Sequence, residues 1–157
     1  MNWIDFNILC IGQLHPKIFK NDVYNIEVMN HDPNKSIKCY IECWDIVNRI
    51  QGIWYELWSS EEKYDYIINS TWELNNDNTR LNSACGYRLF IEIGYRQLLL
   101  DLFNFYVAQS PVNRIIVLFR HQGHESEKIE NCMSVETFVD MLINKDIYGN
   151  IAYILGA

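Results

Sequence analysis

The residues best able to do chemistry are two histidines and a cysteine in a polar stretch near the C-terminal end. Imidazole and thiolate groups such as those of His121, His124 and Cys132 are zinc ligands, and Cys39 and Cys43 could complete a set. The spacing does not fit, because no Cys-x-x-Cys pair occurs. Cys39 and Cys43 also belong to an apolar segment, where buried thiols are common. We therefore expect no metal site and no cofactor.

His121 and His124 could instead act as a general acid and base, as paired histidines do in ribonucleases. A polyanionic substrate would meet three glutamates and one lysine between residues 125 and 130. Electrostatic repulsion disfavours such a substrate, so we interpret both histidines as polar surface residues. A small hydrolase or nuclease that uses this pair is kept as an alternative function.

Other catalytic motifs do not occur in the chain. The seven glycines never form G-x-G or G-K-S/T, the patterns that let backbone amides approach phosphates. The G-x-S-x-G pattern of a serine nucleophile is also missing. We expect a protein that is not an enzyme and has no catalytic residue.

The segment from Glu56 to Asp77 is acidic and rich in aromatic residues. It holds six acidic residues and one lysine, a local charge of −5. Carboxylates accelerate association with a basic protein, and aromatic side chains are anchors whose truncation can cost about 2 kcal/mol or more. The alternative is a solvated helix face whose aromatic residues turn into the core. The residues that we expect to contact a partner are Trp58, Glu61, Glu62, Tyr64, Asp65, Trp72, Glu73 and Asp77.

Composition indicates one globular domain over residues 1–157. The chain is 49% apolar and 21% charged, and 14% of its residues are aromatic, which serve either a core or an interface. With 13 basic and 20 acidic residues the net charge is −7, which disfavours nucleic acid and favours a basic partner. Acidity that only maintains solubility is the alternative.

The cysteines and the N-terminal residues indicate a cytoplasmic protein. Five scattered cysteines are an odd number, and a chain of this size needs no disulfides, so we expect reduced thiols. The first ten residues lack a basic leader, and no apolar run approaches the roughly 18 residues that span a bilayer. We expect no membrane partner.

Periodicity in the first half predicts strands followed by helices. Ile8 to Ile11, closed by Gly12, is typical of a strand and turn. Alternating apolar residues predict a hairpin of Val23 to Met29 with Ser36 to Ile41. Spacings of three and four predict a helix from about Cys43 to Trp58, and a short second helix is expected to end near Asn69. Residues 74–82 are expected to form a surface loop.

The second half predicts a central buried helix and a strand-helix-strand unit. The helix, Arg88 to Val107, is apolar on nearly every side. The continuous apolar run from Ile115 to Phe119 is typical of a strand covered on both faces. Ser134 is a typical helix N-cap, and Ile151 to Leu155 are expected to form a final strand. The two strands could pair in parallel through a crossover or antiparallel. The fold class expected is mixed α/β, with several helices packed on a small mixed sheet.

The C-terminal quarter resembles the end of immunity proteins that accompany contact-dependent growth inhibition and other polymorphic toxins of bacteria. The resemblance consists of the strand ending in Leu118-Phe119-Arg120, the Gln122-Gly123 turn, the short helix, and residues 148–153, YGNIAY. It implies a small, acidic cytosolic protein that binds a cognate toxin, commonly over its active site. Many such toxins are nucleases with basic faces. It implies no catalytic residue. A second alternative function, apart from the resemblance, is that of a non-catalytic adaptor subunit.

Overall fold

A computed structural model describes residues 4–30, 50–59, 67–72, 87–121 and 129–156. Within them the fold is mixed α/β with two helices, which confirms the predicted class, and a short 3-10 turn, Ile93–Tyr95, directly precedes the first helix. The strands are β1 (Ile4–Ile11), β2 (Tyr24–Val28), β3 (Gly52–Ser59), β4 (Asn69–Trp72), β5 (Tyr87–Phe90), β6 (Arg114–His121), β7 (Ile129–Met133), β8 (Ile147–Tyr148) and β9 (Ala152–Gly156), and the helices are α1 (Arg96–Gln109) and α2 (Val135–Ile143).

Six strands form one sheet in the order β2-β3-β1-β6-β9-β7, and β4, β5 and β8 form a second sheet of three strands. In the large sheet β7 and β9 pair in parallel and the other neighbours are antiparallel. Of the two pairings considered for the strand at Ile115–Phe119 and the final strand, the antiparallel one is therefore correct, since these strands are β6 and β9. The parallel crossover joins β7 to β9 through α2.

Both helices pack on one face of the large sheet. Phe103 of α1 and Phe138 of α2 are fully buried there, with ring centroids 5.6 Å apart. Phe6 of β1 lies 6.0 Å from Phe103, and Phe119 of β6 stacks on Phe138 at 6.3 Å. Each such ring removes enough apolar surface from water to contribute about 1.5–3 kcal/mol. This cluster is the main core, and we call its side of the sheet the helix-covered face.

The opposite face also buries apolar side chains along its centre. Leu9, Trp54, Ile116, Leu118 and Ala152 form a second cluster there. Because β6 contributes to both clusters, residues 115–119 are buried on both sides, as predicted for this strand.

The helix predicted from Cys43 to Trp58 is wrong over residues 52–58, which form β3. Ile53, Tyr55 and Leu57 alternate onto the helix-covered face, while Trp54 enters the second cluster. A strand buried on both faces is apolar at nearly every position, so spacings of three and four fit it by coincidence. The first position of β3, Gly52, requires glycine because a Cβ there would collide with the carbonyl oxygen of Cys10. Residues 43–49 lie outside the described residues.

The helix predicted from Arg88 to Val107 begins only at Arg96 and ends at Gln109. Arg88 and Leu89 lie in β5, where they pair with Tyr148 and Ile147 of β8. The helix is buried along one side only, since Asp101 and Asn104 are exposed.

Two other predictions for the first half meet the structure only in part. Val23–Met29 contains strand β2, as predicted, but β2 pairs with β3. Its expected partner, Ser36–Ile41, and the loop over residues 74–82 lie outside the described residues. The short helix expected to end near Asn69 is wrong at its end, because Asn69 starts β4.

The predicted N-cap at Ser134 is confirmed. Its hydroxyl oxygen accepts a hydrogen bond from the backbone N–H of Thr137 at 3.1 Å, which satisfies a free donor of the first turn of α2. Within the described ranges, neither α1 nor α2 is long and apolar enough to cross a membrane.

Candidate functional site

Two of the eight predicted contact residues fall within the described residues. Trp58 lies in β3 of the large sheet, where its side chain is half-buried, and Trp72 lies in β4 of the small sheet, opposite Tyr87. The structure therefore places the two tryptophans in different sheets. The other six lie outside the described residues, so their placement stays a prediction: Glu61, Glu62, Tyr64, Asp65, Glu73 and Asp77.

Only some of the histidines and cysteines that could do chemistry lie within the described residues. His121 is the last residue of β6, opposite Ile4 of β1, and His124 lies outside the described residues. Cys132 is an exposed free thiol in β7, and Cys39 and Cys43 are outside the described ranges. In the part of the chain that the structure describes, no group of three or more His, Cys, Asp or Glu could hold a metal ion.

Trp58 belongs to a polar surface at one end of the large sheet. Side chains alternate along a strand, so Glu56 and Trp58 project from the face opposite the helices. On the neighbouring β2, Glu27 pairs with Glu56, and Asn25 pairs with Trp58. Asp5 alternates with the core residue Phe6 and so lies on the same face of β1. We call these five residues, Asp5, Asn25, Glu27, Glu56 and Trp58, the acidic sheet patch.

The patch carries three carboxylates, of which that of Glu27 is the most exposed and that of Asp5 has one buried oxygen. Asn25 and Glu27 are exposed, whereas Asp5, Glu56 and Trp58 are half-buried. Arg120, which is 3% exposed, pairs with Asp5 across β1 and β6. Glu27 and Glu56 are directly opposite each other on β2 and β3, so their two carboxylates lie on the same face of the sheet.

Buried amides fix the strands that present the patch. Asn30, just beyond β2, donates from its side chain to the carbonyl of Gly52 at 2.9 Å and accepts from the N–H of Trp54 at 2.6 Å. Asn7 is fully buried and donates to the carbonyl of Tyr55 at 3.5 Å. These contacts hold β1 and β2, which is the outermost strand of the sheet among the described residues, against β3. Sequence reasoning missed both residues, since a lone asparagine gives no signal of burial.

Within the described residues, the strongly perturbed titrating groups lie in the main core on the helix-covered face, away from the patch. Burial raises the pKa of the Cys10 thiol and of the Tyr55 hydroxyl to about 12, and it also raises the pKa of Tyr106 of α1. The Cys10 thiol donates to the carbonyl of Tyr106 at 3.2 Å. A thiol that stays protonated at neutral pH is a poor nucleophile, so Cys10 is a structural residue.

No protein-family model, curated protein or solved structure matches the chain. The acidic sheet patch is therefore interpreted through its own chemistry. The patch combines a half-buried indole with bordering carboxylates, that is, an apolar contact surface with negative charge.

Proposed function

We propose that the protein is an immunity protein that acts in the cytoplasm by binding a bacterial toxin domain with a basic surface. The observation that carries the proposal is the acidic sheet patch, in which Trp58 is half-buried beside the carboxylates of Glu27 and Glu56. The resemblance of residues 115–157 to the C-terminal part of immunity proteins supports the same function.

The mechanism follows from charge. If the toxin is a nuclease, its substrate cleft carries Lys and Arg that hold phosphates. Carboxylates of the patch would occupy those positions, and the Trp58 ring would fill an apolar depression beside them. Substrate would then be excluded without any chemical step in the immunity protein.

The patch alone is smaller than a stable protein interface. Three neighbouring strands span only about 10 Å, since adjacent strands lie about 4.8 Å apart. An interface of standard size buries about 1,600 Å². We therefore include Glu61, Glu62 and Asp65, which follow β3 in the sequence, in the proposed contact surface.

The first experiment is a protection assay. The protein encoded immediately upstream is taken as the candidate toxin; bacteria that express it are grown with and without this protein, and the two proteins are tested for co-purification. We expect rescued growth and a stable complex. If growth is not rescued and no complex forms, the immunity function is refuted.

Three variants locate the interface. Glu27→Lys changes an exposed side chain of β2, so folding should be preserved while protection weakens. The matched control is Asp146→Lys, an equal change of charge at an exposed position beyond α2. The combined reversal of Glu61, Glu62 and Asp65 should also slow association. Unchanged protection by Glu27→Lys and by the triple variant would show that the interface lies elsewhere, even if the function is correct.

A further inference from the structure

The loop between β1 and β2 is a crossover between two strands that run in the same direction. β1 and β2 lie on either side of β3, and both pair with it antiparallel. The last residue of β1 is opposite Gly52, and the first residue of β2 is opposite Ser59. The chain must therefore return along the whole length of β3 before β2 can start. We call residues 12–23 the crossover loop.

The crossover loop is extended because a helix would be too short for this path. Gly52 and Ser59 are seven residues apart in β3, which is roughly 23 Å at about 3.3 Å per residue. The twelve residues of the loop would reach only about 18 Å as an α-helix, and they contain no helix or strand. The backbone of the loop therefore depends on other parts of the molecule for its hydrogen bonds.

Two buried tyrosines on the helix-covered face supply such hydrogen bonds. The hydroxyl of Tyr55 in β3 accepts from the N–H of Lys17 at 3.0 Å. The hydroxyl of Tyr106 in α1 accepts from the N–H of Phe19 at 3.2 Å and donates to the carbonyl of Lys17 at 3.0 Å. The Phe19 ring also packs on Phe105 of α1, with centroids 5.3 Å apart. The loop is thus anchored on the face of the sheet opposite the acidic sheet patch.

Asn21 joins the anchored part of the loop to the start of β2. Its side-chain oxygen accepts from the N–H groups of Val23 and Tyr24. Its side-chain nitrogen donates to the carbonyl of Phe19 at 3.1 Å and to that of Tyr24 at 3.2 Å. Phe19 and the first residue of β2 cannot separate while these bonds hold.

The crossover loop and β2 are less buried than the centre of the large sheet. Residues 14–18 are exposed, and in β2 Asn25 and Glu27 are exposed while only Tyr24 is fully buried. In β6, by contrast, every residue from 115 to 120 is buried. Segments with few buried side chains open at a lower free energy than the core, and they open as contiguous units.

The far end of β2 is joined to β3 without the crossover loop. The side chain of Asn30 donates to the carbonyl of Gly52 at 2.9 Å and accepts from the N–H of Trp54 at 2.6 Å. The N–H of Met29 donates to the carbonyl of Trp54 at 2.9 Å. Loss of the tyrosine contacts leaves these bonds in place, so an opening that starts in the loop ends here.

We infer that the crossover loop and β2 open and close as one unit with a hinge at Asn30, and that only the closed unit presents the acidic sheet patch. Asn25 and Glu27 belong to β2, so opening separates them from their partners on β3. Tyrosines on one face of the sheet thereby control a surface on the other face. As a regulation of partner binding the inference rests on the proposed function, whereas the existence of the unit does not.

The first measurement is amide hydrogen exchange of the free protein in low concentrations of urea. The reporters are the four amides held by the tyrosines and by Asn21, those of Lys17, Phe19, Val23 and Tyr24. We expect one common free energy of opening in the wild type. Tyr106→Phe should accelerate all four by the same factor, about tenfold or more, although only Phe19 loses its own partner.

The matched control is the amide of Thr137, which is also held by a side-chain hydroxyl, that of Ser134, but lies in α2. Its exchange should not change in Tyr106→Phe. Tyr55→Phe removes the bond to Lys17 from a second position and should reproduce the pattern. Different free energies of opening for the four amides of the wild type, or acceleration confined to Phe19, would overturn the unit.

The second measurement repeats the exchange with the toxin domain identified in the protection assay. A partner that binds only the closed unit suppresses opening about 100-fold at about 100 times its Kd. The amides of Lys17 and Phe19 should then exchange about 100-fold more slowly, although they lie on the face opposite the patch, while Thr137 is unaffected. Binding without this slowing would overturn the regulation. Absence of binding would refute the proposed function and the regulation with it, and the unit itself is decided by the first measurement.

Discussion

Removing the hydroxyl of Tyr106 tests whether the loop over residues 12–21 is held as the contacts indicate. In Tyr106→Phe the N–H of Phe19 and the carbonyl of Lys17 each lose a hydrogen-bond partner. A typical bond contributes about 1 kcal/mol, and a buried group left without a partner costs about 1–3 kcal/mol. Because Lys17 is exposed, water can replace one of the two bonds. We therefore expect a loss of about 2 kcal/mol in the free energy of unfolding.

Urea unfolding measures this loss, and amide hydrogen exchange locates it. The Phe19 amide should exchange about tenfold faster or more, since 1.4 kcal/mol corresponds to a factor of ten in opening. Tyr95→Phe is the control, because Tyr95 is half-buried and its hydroxyl makes no hydrogen bond within the described residues. If Tyr106→Phe and Tyr95→Phe unfold with the same free energy and the Phe19 amide exchanges as in the wild type, the tyrosine anchoring of the loop is wrong.

Three further predictions concern the core, the helix cap and pH. Phe138→Ala removes a fully buried ring and should cost about 3–5 kcal/mol, measured by urea unfolding; a loss below 1 kcal/mol would contradict the packing on α2. Ser134→Ala should cost about 1 kcal/mol, and Ser134→Asn, which can also cap, should recover most of it. The pKa values of Cys10 and Tyr55 are raised from 9.0 and 10.0 to about 12, so the unfolded chain releases these protons first. Stability should therefore be complete below pH 9 and fall as pH rises toward 12, and Cys10→Ala should reduce the slope in unfolding curves recorded between these limits.

The parts of the fold that could be predicted from the sequence carry local signals. Ile115–Phe119 is continuously apolar because helices cover one face of β6 and a second cluster lies on the other. Ser134 is recognisable because an N-cap depends only on its own helix. β3 could not be recognised, since burial on both faces erases the alternation that distinguishes a half-buried strand from a helix.

In the candidate site, too, only the residue with a local sequence signal could be predicted. Trp58 was predicted because aromatic and acidic residues are close to it in the sequence. Glu27 and Asp5 were missed, because they reach Trp58 and Glu56 only through pairing of β2 and β1 with β3. The path of the loop at Lys17 and Phe19 was likewise unpredictable, because it is held by hydroxyls of Tyr55 and Tyr106, which are distant in the chain.

The most direct measurement is a calorimetric titration of the purified protein with the toxin domain identified in the protection assay. We predict a tight complex that weakens with salt, and a loss of affinity of at least about tenfold in Glu27→Lys, while Asp146→Lys binds as the wild type does. Equal affinities for the two variants would contradict the acidic sheet patch as the contact surface. No detectable binding by the wild type would contradict the immunity function.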